Sequence, residues 1–215
     1  MEEAEIMRIA ISGAGNVGSA LSRAATGAGH TVTVAATSQA KAADVAAETG
    51  ARAAENNVDA VTGADVVVLA VPGDVVAAVA KELAPAVRGK VVVDATNPLN
   101  ASFTDLDIEE TAAVQTLRRL LPDSAVVKAF NTVFAGRLGS PQEDGARLDG
   151  FYAGDDADAK KVVADLLASL GFRPIDAGGL RMARALEEMA FLNISLNAAN
   201  EWPWQSGWAL LGPAA

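Results

Sequence analysis

The chain has no cysteine and a single histidine, His30. Without thiols there is no disulfide, no thiolate nucleophile, and no zinc–cysteine or iron–sulfur centre. One imidazole rules out a multi-histidine metal site. It also leaves a Ser/His/Asp triad unbuildable, because His30 lies between Gly29 and a strand start, where a turn residue is expected. Tyrosine is equally scarce. Tyr152 is followed four residues later by Asp156, so the Tyr-x-x-x-Lys pair of short-chain dehydrogenases is absent. Positive charge is short as well, with 17 Lys and Arg against 27 Asp and Glu, a net −10. Such a surface disfavours nucleic acid and anionic membrane as partners. No run approaches the roughly eighteen apolar residues that a membrane span needs. The acidic start, Met1 to Glu5, lacks the basic region of a signal peptide. We expect a soluble, cytoplasmic protein with no metal site and a short disordered tail before Met7.

What is present is apolar and periodic. Of 215 residues, 51% are hydrophobic, enough for one domain or a large domain with a small appendix. Strand and helix alternate. Strands are expected at Arg8–Ser12, Thr31–Ala36, Ala64–Val71, Lys90–Asp94 and Ala125–Phe130. Helices are expected at Asn16–Ala28, at Gln39–Thr49, and from an Asp74 cap to about Pro85. Val-rich runs between helices indicate a parallel sheet covered on both faces. The pattern lapses between Asn97 and Val114, and loops that long are often functional. After Gly139 a polar connection, Ser140–Asp149, leads to strand Gly150–Ala153, helix Asp156–Leu170, strand Phe172–Asp176 and a long helix, Leu180–Asn200. The fold class is α/β: a Rossmann doubly wound parallel sheet (residues 1–139) and a smaller C-terminal α/β domain (residues 140–215) that closes a cleft.

The strongest motif is Gly13-Ala14-Gly15-Asn16-Val17-Gly18, a complete G-x-G-x-x-G lying between a strand and a helix. Gly13 permits the tight turn, Gly15 lets a pyrophosphate approach the backbone, and Gly18 lets the helix pack on the strand. The anion would sit on the free N–H groups of the helix start. The second strand points to the nucleotide. An NAD site ends this strand with an acid that binds the ribose 2′-hydroxyl. Here it runs Ala36-Thr37-Ser38-Gln39, with no acid before Asp44. Thr37, Ser38 and Lys41 offer donors and one positive charge, which suits the 2′-phosphate of NADP. The alternative is that Ser38 caps the helix, Lys41 is solvated, and either nucleotide is accepted.

Catalytic side chains are scarce, so none is assigned. Hydride transfer between two bound redox cofactors fits, because the reacting atoms belong to the cofactors and the protein orients them. The three tryptophans, Trp202, Trp204 and Trp208, crowd near the C-terminus. They can pin the terminus onto the body or a partner, or one of them can wall the cleft and stack on a planar acceptor.

Several segments together resemble the NADPH-dependent coenzyme F420 reductases: Gly13–Gly18, Ala70-Val71-Pro72, Val126 through Val133 with its Lys-Ala-Phe-Asn-Thr core, Gly154-Asp155-Asp156, and Pro174 through Gly178. The reductase domain of the six-transmembrane metalloreductases has the same layout. The resemblance covers nearly the whole chain. It implies NADP lying across the strand ends, with F420 or a flavin as co-substrate, in a homodimer. By motif position, the dinucleotide contacts fall on Gly13, Ala14, Gly15, Asn16 and Val17 at the phosphates. Ala36, Thr37, Ser38 and Lys41 surround the 2′-phosphate. Val71, Pro72, Gly73, Asn97, Pro98, Asn131 and Ala135 lie toward the ribose and nicotinamide. The chain departs from the family where Ser-Arg is replaced by Ala36-Thr37, which removes a bidentate clamp and should weaken the NADP preference. It departs again where archaeal members have a histidine (here Asn131), a proline (here Phe134) and an aromatic (here Gly73). The alternatives are an NADPH-dependent reductase of a small imine or carbonyl compound, and a non-catalytic NADP-binding sensor.

Overall fold

The computed structural model describes residues 5–100, 102, 104–107, 113–143 and 145–212. The expected tail before Met7 lies largely outside the described residues, as does part of the lapse after Asn97.

Ten strands and seven helices follow in the order β1 (Arg8–Ser12), α1 (Asn16–Gly27), β2 (Thr31–Ala35), α2 (Gln39–Thr49), β3 (Arg52–Ala53), α3 (Asn57–Val61), β4 (Val66–Leu69), α4 (Val76–Leu83), β5 (Val91–Asp94), α5 (Ala113–Leu120), β6 (Ala125–Ala129), β7 (Gln142–Glu143), β8 (Ala146–Arg147), β9 (Asp149–Gly154), α6 (Ala157–Ser169), β10 (Arg173–Asp176) and α7 (Ala183–Ala199). Eight strands form one sheet in the order β10-β9-β6-β5-β4-β1-β2-β3. All neighbours pair in parallel except β6 with β9, which are antiparallel. This is the doubly wound Rossmann arrangement, extended at one edge by a β9–α6–β10 unit of opposite direction. The sheet therefore runs on across residue 139. The Ser140–Asp149 connection carries the small hairpin β7–β8.

The central strands are buried on both faces, as their Val runs imply: Val66, Val67, Val68 and Leu69 of β4 are all essentially inaccessible. One layer packs α1 and α6 against the sheet, and the other packs α3, α4 and α5. At about 25 cal/mol per Å² of apolar surface removed from water, these two layers dominate the folding free energy. His30 is buried at the end of α1. Its Nδ1 accepts from the Met7 N–H (3.2 Å), and its Nε2 meets the Ser169 hydroxyl at 2.8 Å. That hydroxyl already donates to the Leu166 carbonyl. His30 is thus neutral with its proton on Nε2, and burial holds its pKa below the ordinary imidazole value. It ties the N-terminal strand to α6, a structural role.

One expectation fails. Asp74 does not cap α4; the helix begins at Val76 with Val75 at the cap position and no side-chain cap. Residues Pro72–Val75 instead form a separate turn, in which the Val75 N–H donates to the Pro72 carbonyl.

Candidate functional site

Because β1, β2, β4, β5 and β6 run in parallel, their carboxyl ends share one rim. Every residue expected to hold the dinucleotide lies on that rim. Gly13 follows β1 with φ +119, a conformation L side chains rarely adopt, and a Cβ there would strike the Ala70 carbonyl. The turn is therefore closed against β4 as well as tight. A Cβ on Gly18 would strike the Gly13 carbonyl, so the helix lies hard against the loop. Gly15 is different: its φ is −82, and a Cβ there would meet nothing within 4 Å. Neither the fold nor backbone strain requires glycine at 15, and the space above it is open. The helix it opens has no side-chain cap and no acid in its first turn. Its first N–H groups and its dipole face that space, a ready anion site.

The five loops form a continuous row. The Gly13 N–H donates to the Ala35 carbonyl, and Ala14 packs with Val34, Val45 and Ala36. Gly13 abuts Ala70 and Val71, while Gly73 lies against the Asn97 carbonyl and Pro98 Cα, each 3.2 Å from where a Cβ would be. Asn97 Nδ2 donates to the Asn131 carbonyl (2.8 Å), and Asn131 Nδ2 returns a bond to Asn97 Oδ1 (3.0 Å) and reaches the Leu186 carbonyl (3.0 Å). At the β2 end, the Ser38 hydroxyl accepts from the Lys41 N–H at 3.3 Å and so caps α2. Its proton remains free to donate. Thr37 and Lys41 are exposed beside it.

Where the β5 and β6 loops meet α7 there is a cavity of about 170 Å³, lined by Val17, Ala95, Asn97, Phe130–Ala135, Ala190, Asn193 and Ile194. None of these side chains ionises. Two polar atoms among them are buried without a protein partner, Asn131 Oδ1 and Thr132 Oγ1. Buried polar atoms are nearly always hydrogen-bonded. Both amide protons of Asn131 are engaged, which leaves its Oδ1 as an acceptor, and the Thr132 hydroxyl can donate. That pair fits a carboxamide, as on a nicotinamide ring. Together with the open, uncapped α1 start, it shows that the residues present fit a dinucleotide. A larger hollow of about 700 Å³ lies at the opposite rim, against Arg118, Asp123 and Asp155. Arg118 and Asp155 there are paired at 3.3 Å. Only β9 and β10 end on this rim, and no glycine loop opens there.

Beneath the cavity is a group the sequence reading named only as part of a motif. Lys128 is wholly buried in β6. Its ammonium donates to Asp94 Oδ2 (3.0 Å), the Thr96 carbonyl (2.6 Å) and Glu187 Oε1 (2.8 Å), which engages all three of its protons. Asp94 and Glu187 are also fully buried, and Asp94 Oδ1 binds both the N–H and the hydroxyl of Thr96. Asp94 and Lys128 are register partners in the sheet. The triad clamps the Asn97 loop, β6 and α7 together from below, while the Asn97–Asn131–Leu186 bonds do so from above. A lysine inside the run Ala125–Ala129 was the available signal, since a buried charge demands a partner. Thr132 falls in the Lys-Ala-Phe-Asn-Thr core, and Ala190, Asn193 and Ile194 fall in the expected C-terminal helix without having been singled out.

The family model described as "NADP oxidoreductase coenzyme F420-dependent" matches residues 8–98. The F420-dependent NADP reductase of Methanothermobacter thermautotrophicus is 35% identical over 152 residues, covering 67% of this chain and 65% of that protein. A crystal structure assigned as an F420-dependent NADP reductase, from Arthrobacter sp. FB24, superposes with a TM-score of 0.84 at 30% identity, covering 95% of this chain and all of that one. The chain belongs to the F420-dependent NADP reductase family. Family membership accounts for the motifs distant from the rim. Asp155 Oδ1 of the Gly-Asp-Asp segment accepts from the Leu180 N–H, and Asp176 of the Ile-Asp-Ala-Gly segment accepts from the Gly178 N–H. Both precede α7, the helix that brings Asn193 to the cavity and Glu187 to Lys128. Metalloreductase STEAP3 of Rattus norvegicus is 34% identical over 105 residues, 49% of this chain and 21% of that protein. This family's nucleotide fold is therefore shared with a far longer protein. The match spans just under two thirds of the length of the Methanothermobacter reductase.

Proposed function

We propose that the protein transfers hydride between NADP(H) and a deazaflavin of the F420 kind, with a flavin as a second acceptor. The observation that carries the reading is the cavity at the strand ends. It is large enough for one ring, offers an acceptor and a hydroxyl in a pair, and has no ionisable side chain in its lining. Reduction of an imine or carbonyl asks for a proton donor at the reacting centre. Hydride exchange between two cofactors asks chiefly for position. NADP supplies or takes the hydride when bound. The chain's part is to hold its phosphates at Gly13–Val17 and its 2′-phosphate near Thr37, Ser38 and Lys41. Val71, Pro72, Gly73, Asn97, Pro98, Asn131 and Ala135 then flank the ribose and nicotinamide. Residues 140–215 close the acceptor side. The reading includes a cytoplasmic homodimer, supported by the exposed Leu192 and Leu196 on α7. Among the described residues, no helix is long and apolar enough to cross a membrane.

The test is NADPH oxidation with F420, FMN and FAD offered in turn. Turnover with F420, and slower turnover with a flavin, is expected. A protein that binds NADPH tightly but reduces none of the three would have the family scaffold with a different activity.

A further inference from the structure

We infer that Trp204, held at the mouth of the cavity by the C-terminal strap, is the surface on which the flat ring of the electron acceptor stacks. The inference rests on the hydride-transfer reading and names the residue that would select the acceptor.

Size places the acceptor outside the cavity. A cavity of about 150 Å³ holds one benzene-sized ring, so the 170 Å³ here is room for a ring of nicotinamide size. A tricycle in contact with that ring must lie over the opening. Phe134 lines the cavity, and Trp204, outside that lining, meets Phe134 edge-to-face, with ring centroids 5.6 Å apart at 78°.

The strap is built onto the cavity wall. The Ser206 hydroxyl donates to Asn193 Oδ1 and accepts from Asn197 Nδ2, both at 2.6 Å, and Asn193 itself lines the cavity. The Trp202 N–H donates to the Asn197 carbonyl, and the Trp208 carbonyl accepts from the Asp149 N–H. Gln205 lies against Gly136. Between these anchors, Glu201 and Trp204 take left-handed backbone, φ 54 and 59. The third non-glycine residue in that region, among those described, is Phe130 with φ 66, which lines the same cavity. L side chains rarely adopt this conformation, and such strain persists where surrounding structure imposes it, often at ligand clamps. Yet Trp204 remains 46% exposed. An indole fixed by anchored, strained backbone and still open to water lacks one apolar partner. Trp208, by contrast, packs into a cluster with Phe151 and Leu186, so it pins the terminus.

The experiment is equilibrium binding of F420 and of FMN to the NADP⁺-loaded protein, followed by the ring's own fluorescence and by quenching of tryptophan emission. W204L keeps an apolar side chain without a π-face, and W204F keeps a ring. Stacking of this kind predicts about tenfold weaker acceptor binding in W204L and recovery to within about threefold in W204F. NADP⁺ affinity should stay unchanged. Tryptophan quenching should vanish in W204L and persist in W202F and W208F. Equal acceptor binding by wild type and W204L overturns the inference and leaves the hydride-transfer reading standing. A parallel loss of NADP⁺ affinity or a collapse in melting temperature makes Trp204 a strut and also overturns it. Failure of the wild type to bind either ring removes both. Binding that depends on Trp204, without any hydride transfer, supports the inference and overturns the activity.

Discussion

Two helices in this molecule leave the sheet by the same route and end up with opposite character. Both α1 and α6 follow a buried strand after a short turn, and both present a helix N-terminus at a rim. At α6 the chain supplies its own anion: Asp156 Oδ1 accepts from the Ala159 N–H at 2.8 Å. At α1 the equivalent position is Gly15, and nothing fills the space above it. Helix α2 is intermediate, capped by the neutral Ser38 hydroxyl. A helix start is an electrostatic resource either way. It stabilises the fold when the chain caps it, and it binds a foreign anion when the chain leaves it open. The open start lies on the rim where the six parallel strands β1–β6 end, and the closed one lies on the rim where only β9 and β10 end.

The largest effect should come from the floor on which the open rim rests. K128M would leave Asp94 and Glu187 facing each other in the interior. Removing one member of a buried ion group typically costs about 3–5 kcal/mol. A fall in melting temperature of roughly 10 °C should follow, read by calorimetry. A shift under about 2 °C would mean that the triad is not the clamp described above.

Next in size is the direct exchange of characters between the two helices. G15D places at α1 the residue that α6 uses. The backbone at 15 accepts it without strain, so the protein should fold normally, with α1 gaining up to about 1 kcal/mol from the new cap. NADPH affinity should fall by about a hundredfold, or about 2.7 kcal/mol, because the carboxylate occupies the phosphate position and repels it. Titration calorimetry that returns an unchanged affinity would move the pyrophosphate elsewhere.

The intermediate helix sharpens the comparison through nucleotide choice. T37D adds a carboxylate that can accept from a 2′-hydroxyl and would repel a 2′-phosphate. K41A removes one exposed charge. Each should change the NADP-to-NAD affinity ratio by about tenfold toward NAD. If neither moves the ratio, α2 serves only its own cap, and the rim does not read the 2′ position.

These contrasts also show what the sequence made legible. The glycine loop was readable because its three positions carry separate physical demands. Two of them appear directly in the structure as collisions that a Cβ would make. Helix α2 was placed from Gln39 to Thr49 because Ser38 and Gly50 mark both its ends. The β9–α6–β10 unit was readable from its alternation. Elements β3 and α3 were not, being too short to show a period. Asp74 misled because a capping residue beside a turn need not be the residue at which the helix starts. The cavity itself was half visible. Asn97 and Asn131 follow strand ends, but Ala190, Asn193 and Ile194 reach it only through the docking of α7, which no local spacing encodes. Lys128, Asp94 and Glu187 lie far apart in sequence, and only the sheet register and that docking bring their charges together.

The smallest predicted effect tests the closed end. D156A removes the carboxylate that caps α6 and turns that helix start into a copy of the open one, without the glycine loop. Loss of an N-cap costs about 1 kcal/mol, so the melting temperature should fall by about 2–4 °C for a chain of this length. Nothing at the dinucleotide rim should respond, because β9 runs antiparallel to β6 and places the α6 start at the opposite rim of the sheet. NADPH affinity and hydride transfer should therefore match wild type. The opposite outcome is informative. If D156A alters dinucleotide affinity while stability is unchanged, the Asp156 carboxylate is not serving as a cap. The distinction between a self-filled helix start and a ligand-filled one would then fail at the place where the structure draws it most sharply.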